Sequence, residues 1–378
     1  MLIFMTSYVC RRCQVHSPTD TLTWCCPKCR GPWDLEFAGG PVSLPSLASR
    51  RNSLWRYEEA LPPMPCAPDV TLGEGRTPLV PLEEGEQGSV SAKLDFLMPT
   101  LSFKDRGAVM LAAHALRLAR NGSLRRVVAD SSGNAGTAIA AYGARAGLDG
   151  LVYVPKGTSP KKLEQIRAHG ARVVEVPGDR EATARAARAA ADEPGTFYAS
   201  HVYNPYFLHG TKTYVYELWE ELGGRLPDTI VVPVGNGTLL LGAALALDEL
   251  HRHGLTDNHP ALVAVQAEAV SPLAAAFHAG AEELGEAVPV RPTLAEGIAI
   301  PAPPRAHQIL RAVRATGGTF LTVSEDQIRT AQLELSRRGL FVESTGVACW
   351  AAVRAAAPRP GLTVVPLCGA GAKTGLAR

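Results

Sequence analysis

The 378 residues carry a formal net charge of +2, with 46% hydrophobic and 20% charged side chains, enough for two packed cores and a small appendage. No basic stripe with interleaved aromatics appears, which leaves nucleic-acid binding without support, and no run of about 20 apolar residues is present to cross a membrane. The opening Met1 to Met5 has no basic n-region, adequate apolar run or cleavage site, so a soluble, cytoplasmic protein is expected.

Four of the eight cysteines fall at the start as Cys10-x2-Cys13 and Cys26-x2-Cys29, separated by twelve residues. This is zinc-knuckle spacing: two knuckles bring four thiolates to one tetrahedral ion, so a structural Zn2+ on Cys10, Cys13, Cys26 and Cys29 is expected. Cys25 beside Cys26 leaves the identity of the third ligand open. Lost metal binding or a redox dithiol are the alternatives. His16 reads as a surface residue. Residues 39–70, rich in Pro and Ser with little apolar periodicity, read as a linker. The run Leu72-Gly73-Glu74-Gly75-Arg76-Thr77-Pro78-Leu79 reads as structural turns on the way to a core.

Next comes Pro99-Thr100-Leu101-Ser102-Phe103-Lys104-Asp105-Arg106-Gly107, opening a helix that Asp105 to Arg120 predicts. Taken alone, Lys104 is a solvated charge near a first helical turn. The strand pattern Arg126 to Ala129 then runs into Ser131-Ser132-Gly133-Asn134-Ala135-Gly136 and an Ala-rich helix reaching Arg145. A strand, a tight turn and a helix start gather unpaired N–H groups at the positive end of the helix dipole, which suits an anion; an ordinary Ser/Asn helix cap is the alternative. Further alternation follows, with a strand Leu151 to Pro155, a helix Ser159 to His169, a strand Arg172 to Val176 and a helix Ala182 to Ala191. Ser159 is expected to cap its helix, Pro160 to open it and Gly170 to end it. After the strand Thr229 to Val234, Gly235-Asn236-Gly237-Thr238 is a second glycine turn before a helix, and successive N–H groups there can cradle a phosphate. The last segment, Val364-Val365-Pro366-Leu367-Cys368-Gly369-Ala370-Gly371, reads as a buried strand ending in a small polar residue and a glycine turn. Strands alternating with helices imply parallel sheets covered by helices.

Taken in order, these four segments resemble the cofactor-binding segments of threonine synthases and their fold-type II pyridoxal-phosphate relatives, and the resemblance runs from the cysteine knuckles to Lys373. It implies an α/β fold of two doubly wound three-layer αβα domains with a small N-terminal zinc-ribbon-like appendage. The expected division is 1–38 for the ribbon, 39–70 for the linker, 71–121 with 223–378 for a large cofactor-binding domain, and 122–222 for a smaller mobile domain. The resemblance also implies pyridoxal 5′-phosphate held by Lys104, with Asn134 on its 3′-oxygen. Gly235, Asn236, Gly237 and Thr238 would hold its phosphate, and Cys368 would face its pyridine nitrogen. Ser131, Ser132 and Asn134 would receive the carboxylate of a small amino-acid substrate. A Cys in place of the usual Ser or Thr supplies no counter-charge, so the pyridine nitrogen is expected to stay largely unprotonated.

The implied activity is a carbon–oxygen lyase of threonine synthase type, converting O-phospho-L-homoserine and water to L-threonine and phosphate, in a homodimer. Two departures bear on the substrate. The family's Asn-Pro-x-Arg run reads Asn204-Pro205-Tyr206-Phe207 here, so Phe207 stands where a phosphate-holding Arg is usual. Leu101 replaces the usual Gly before Ser102. Lys212 is the first candidate to replace the missing cation, with His209, Lys156 and Lys161 behind it. Glu296, in Ala295-Glu296-Gly297-Ile298, either tunes the cofactor site or caps a turn. A serine or threonine ammonia-lyase, a β-replacement synthase, and a non-catalytic paralogue that binds a partner are the alternative functions.

Overall fold

The computed structural model describes residues 6–286, 290–357 and 359–376; Met1–Met5, read above for a leader, lie outside them. The chain forms two compact units. Unit 1 comprises residues 1–42, 49–74 and 104–211, and unit 2 comprises residues 43–48, 75–103 and 212–378. Helix Lys104–Arg120, grouped with the large domain in the sequence reading, packs within unit 1, and helix Thr213–Glu221 packs within unit 2. Among the described residues no helix is long and apolar enough to cross a membrane.

Unit 1 holds a four-stranded parallel sheet in the order Arg172–Val176, Gly150–Pro155, Arg126–Ala129, Thr196–Tyr198. Helices Asn134–Arg145, Pro160–Ala168 and Arg180–Ala191 connect its strands. The expected strands and helices are found within two residues of their sequence bounds, because apolar runs between Gly, Pro and Ser signals fix parallel units locally. Ser159 precedes its helix but makes no side-chain cap bond. In the turn run Leu72–Leu79, Glu74 has a structural role. The buried Glu74 carboxylate accepts from Trp55 Nε1 at 2.8 Å, Thr71 Oγ1 at 2.9 Å, the Leu72 amide at 2.8 Å and the Tyr142 hydroxyl at 3.0 Å. Residues 39–70 carry two short 3₁₀ helices and bury Leu54, Trp55, Tyr57 and Leu61. Their apolar residues follow a 3₁₀ rather than an α or β period, which is why the pattern read as a linker.

The N-terminal cysteine region forms a three-stranded antiparallel sheet, His16–Pro18, Ser7–Val9, Asp34–Glu36, and is packed into unit 1. Tyr8 and Trp33 are each 1% exposed and stack at 5.7 Å. They share one buried cluster with Cys10, Cys26 and the apolar face of helix Lys104–Arg120. Tyr8 also meets His114 of that helix, oxygen to Nε2, at 2.9 Å. Arg117 donates to His114 Nδ1 at 3.2 Å, so the neutral ring carries its proton on Nε2 and donates it to Tyr8. Burial, with the Arg117 charge, holds the His114 pKa well below its ordinary value.

Unit 2 holds a six-stranded sheet in the order Thr319–Val323, Ala261–Ala267, Thr229–Pro233, Leu362–Pro366, Gly88–Lys93, Leu79–Gly85, parallel except for the last pair. Helices Thr238–Arg252, Pro272–His278, Ala306–Ala315, Glu325–Arg337 and Ser344–Ala355 complete it with Thr213–Glu221. Lys93 is fully buried, its ammonium 3.0 Å from Glu217 and 2.8 Å from Glu221 and donating to the Thr77 carbonyl. The Arg76 amide donates to Glu217 at 2.7 Å. Removing one member of such a buried set strands the others in a medium that solvates charge poorly. Lys93→Met is therefore expected to lower stability by about 3–5 kcal/mol, read as a fall in the urea unfolding midpoint. A change below about 1 kcal/mol would show the network to be solvent-compensated.

Candidate active site

The segment before Lys104 is pinned inside unit 2. The Leu101 amide donates to Met98 O at 2.8 Å, the Ala370 amide to Leu101 O at 3.1 Å, and the Phe103 amide to Cys368 O at 2.9 Å. Ser102 bridges Gly369. Leu101 adopts φ 61°, a left-handed conformation that costs a non-glycine residue about 1–2 kcal/mol, and its side chain is 41% exposed. Ser102 is fully buried, and its hydroxyl has no partner among the described residues. A buried hydroxyl left open two residues from Lys104 is what a polar ligand would complete.

Lys104 opens its helix in unit 1, half-buried, with its ammonium 5.8 Å from the centroid of the Phe207 ring. Phe207 is fully buried and lies where a Cβ on Gly107 would stand, 2.4 Å from the ring. The Gly107 seen in the lysine run thus makes room for an aromatic wall beside the amine. Strand Arg126–Ala129 leads into the Ser131 turn, where Ser131 Oγ accepts from the Gly133 amide at 3.3 Å. Helix Asn134–Arg145 starts with no side-chain cap on its first amides, leaving the half-buried Asn134, Ser132 and those N–H groups at its mouth. The preceding Asp130 is pushed up in pKa by burial, against a hydrogen bond from Tyr198 and the charges of Arg180 and Arg188.

One residue of this neighbourhood went unnoticed in the sequence. His201 follows strand Thr196–Tyr198, which pairs in parallel with Arg126–Ala129, so it emerges at the same sheet edge as Ser131. It is 7% exposed, and its ring lies 5.7 Å from that of Phe207. Its only sequence signal was a His just past a strand end, the usual place for ligand-facing side chains in parallel sheets.

In unit 2 the glycine turn is built for close approach. Gly237 sits at φ 72° ahead of helix Thr238–Arg252, and a Cβ there would stand 2.4 Å from Ile309 Cδ1. Gly235 is buried against Ile298 and Ile300, Asn236 is half-buried, and Thr238 is buried. Cys368 is buried at the end of strand Leu362–Pro366, with Sγ 3.9 Å from Pro366 O. Lys212 corrects the sequence reading: it is fully buried and donates to Glu249 Oε1 at 2.7 Å, while Tyr216 donates to Oε2 at 2.9 Å. Its charge is committed to that pair, so it does not serve a substrate. Glu296 is exposed and opens a 3₁₀ turn.

The thiols of Cys10, Cys13, Cys26 and Cys29 lie within 4.8 Å of one another, and Cys25 is turned away into a cluster with Trp24 and Tyr198. The two knuckles repeat one geometry. The Gln14 amide donates to Cys10 O and the Arg30 amide to Cys26 O, each at 2.8 Å, with φ 55° at Gln14 and 57° at Arg30. Hydrogen bonding with Cys29, then burial, pushes Cys13 up to about 12. A bound dication reverses that preference and deprotonates such thiols, so this donor set fits a metal.

The pyridoxal-phosphate dependent enzyme family profile matches residues 70–369, and the chain belongs to that family. It is 32% identical to the threonine synthase of Methanosarcina acetivorans over 354 residues, covering 91% of this chain and 85% of that protein. Identity to the threonine synthase of Methanocaldococcus jannaschii is also 32%, over 346 residues, 88% of this chain and 83% of that protein. Among solved structures, the T.th. threonine deaminase matches with a TM-score of 0.65 and 28% identity, covering 78% of this chain and 92% of that one. The buried, unpaired Ser102 hydroxyl and the Gly237 turn that excludes a Cβ fit such a cofactor. Gly237→Ala adds left-handed strain and a clash with Ile309, and is expected to weaken pyridoxal-phosphate affinity about tenfold or more. The measurement is a titration followed by visible absorption, in which Lys104→Ala should never develop the wild-type band.

Proposed function

We propose that the protein is a threonine synthase-like lyase that converts O-phospho-L-homoserine and water to L-threonine and phosphate. The observation that carries this reading is Lys104 itself, at the first position of its helix with its amine over the Phe207 ring, in a chain resembling threonine synthases over 91% of its length. Bound pyridoxal phosphate supplies an electron sink for the substrate Cα. Lys104 holds that group through its amine and, once the substrate amine takes its place, moves the Cα proton. Ser131, Ser132 and the first amides of helix Asn134–Arg145 bind the α-carboxylate, where the helix dipole favours an anion. Asn134 orients the cofactor ring through its 3′-oxygen. The amides of Gly235, Asn236, Gly237 and Thr238 hold the cofactor phosphate, and the uncharged thiol of Cys368 leaves the pyridine nitrogen without a counter-ion. A cytoplasmic homodimer belongs to the same reading.

A second reading is favoured by one feature. Phe207 puts an apolar ring beside Lys104 where a phosphate-bearing side chain calls for a cation, and Lys212 is committed elsewhere. That arrangement suits a serine or threonine ammonia-lyase. The two readings separate in one assay of the cofactor-loaded protein with O-phospho-L-homoserine, L-serine and L-threonine. Phosphate release with threonine formation is expected. Ammonia and 2-oxo acid from serine or threonine, with phosphohomoserine inert, would establish the ammonia-lyase reading instead.

The four-cysteine cluster is proposed to hold a structural Zn2+. One zinc per chain is expected by elemental analysis, retained in Cys25→Ser and lost in Cys26→Ser. Because Tyr8 and Trp33 tie the knuckles to the helix that begins at Lys104, chelation is expected to lower the thermal midpoint as well as strip the metal.

A further inference from the structure

His201 differs from His114, another buried histidine of unit 1, in one respect. His114 is held by Tyr8 and Arg117, whereas neither nitrogen of His201 has a hydrogen-bond partner among the described residues. His201 as a residue is 7% exposed, and its nitrogens are not among the enclosed unpaired atoms, so they meet solvent rather than protein. Its backbone is fixed: Ser200 Oγ accepts from the Val202 and Tyr203 amides at 3.3 Å each, and the Asn204 amide donates to Ser200 O at 3.1 Å. The backbone is thus fixed, and the ring packs edge-on against Phe207.

Three neighbours define where it stands. His201 and the Lys104 amine lie against the same Phe207 ring, at 5.7 Å and 5.8 Å from its centroid. Strand Thr196–Tyr198 runs parallel to Arg126–Ala129, with Tyr198 opposite Val128 and the Ala199 amide bonded to Val128 O at 2.8 Å. His201 and the Ser131 turn thus leave adjacent strands at the same edge. An amino acid with its carboxylate at that turn and its Cα at Lys104 has its side chain left to meet Phe207 and His201.

We propose that His201 is the base that accepts a proton from the water added to the substrate's β-carbon, a role that rests on the threonine-forming reading above. A lone pair of the water oxygen forms the new bond to the β-carbon as the Cα–Cβ π bond breaks and its electron pair moves to Cα. One O–H bond breaks with its electron pair staying on oxygen, its proton passes to an imidazole nitrogen, and the released phosphate takes it from there. A base must be neutral to act. Burial, then Lys104 of helix Lys104–Arg120 and Arg180 of helix Arg180–Ala191, hold the His201 pKa well below its ordinary value. Asp130, which follows strand Arg126–Ala129, is engaged by Tyr198.

The test compares wild type with His201→Gln and His201→Asn, measuring phosphate, threonine and 2-oxo acid from O-phospho-L-homoserine across pH. The visible absorption band of the loaded variants reports folding and cofactor attachment. Threonine formation should fall about a hundredfold in the variants, while phosphate release exceeds it and 2-oxo acid makes up the difference. The wild-type kcat should hold through about pH 6.5 and fall only well below it, on the acid side of an ordinary imidazole, and that limb should vanish in both variants. Variants that keep the band, equal amounts of phosphate and threonine, and the wild-type acid limb overturn the His201 role alone. Wild type that releases no phosphate from this substrate overturns the threonine-forming reading and the His201 role together.

Discussion

Helix Lys104–Arg120 and the short helix Tyr206–Thr211 meet through two glycines: a Cβ on Gly107 would stand 2.4 Å from the Phe207 ring, and one on Gly210 would stand 2.0 Å from Arg106 O. No side chain fits at either point, so the two backbones close until the ring fills the gap. Everything chemical in unit 1 is referenced to that contact. It sets Phe207 beside the Lys104 amine and places His201 on the ring's other neighbour. It also seats Tyr206 on His114, whose rings stack at 4.2 Å, and through His114 it reaches Tyr8 and the cysteine sheet. Helix Lys104–Arg120 is therefore clamped on one side by the glycine contact and on another by the knuckles, and its first residue inherits that rigidity.

Unit 2 is organised by a different constraint, the cost of burying charge. Lys93 with Glu217, and Lys212 with Glu249, place charged groups where water barely reaches, while Glu221 keeps a partly exposed carboxylate on Lys93. Such pairs add little net stability over apolar replacements, yet each member becomes indispensable once its partner is present. For Lys212, burial lowers the pKa while Glu249 raises it, and burial has the larger effect. Tyr216 occupies the second Glu249 oxygen, so the pair is closed off at both ends. A lysine in this state is part of the scaffold, whatever its position in a motif.

The contrast between Lys104 and Lys212 shows how far the sequence could be read. Strand-turn-helix junctions at Ser131 and Gly235 were legible because Gly, Ser and Asn act on the backbone within a few residues of themselves. The thiol set was legible for the same reason, down to a two-residue spacing, although choosing Cys26 over Cys25 required seeing Cys25 turned into the Trp24 cluster. Lys212 was misread because its partner lies on another helix, at position 249, with no local signal. His201 was missed because its meaning comes from strand Thr196–Tyr198 lying next to Arg126–Ala129. Residues 39–70 were read as a linker for lack of α or β periodicity, and their buried aromatics make sense only against the elements they cover.

The helices of the unit 1 sheet divide according to how their first amides are satisfied. At helix Arg180–Ala191, Asp179 accepts from the Ala182 amide at 2.8 Å, so its own side chain supplies the negative charge that the dipole favours. Helix Asn134–Arg145 follows Gly133, which has no side chain to offer, so no side chain caps its first turn. In a parallel sheet both helix starts lie at the carboxyl ends of their strands, so their positive ends share one edge with His201. A carboxylate drawn to that edge meets one helix start without a side-chain cap, after Gly133, and one with a filled cap, after Asp179. The missing cap at Gly133 therefore distinguishes the two helix starts.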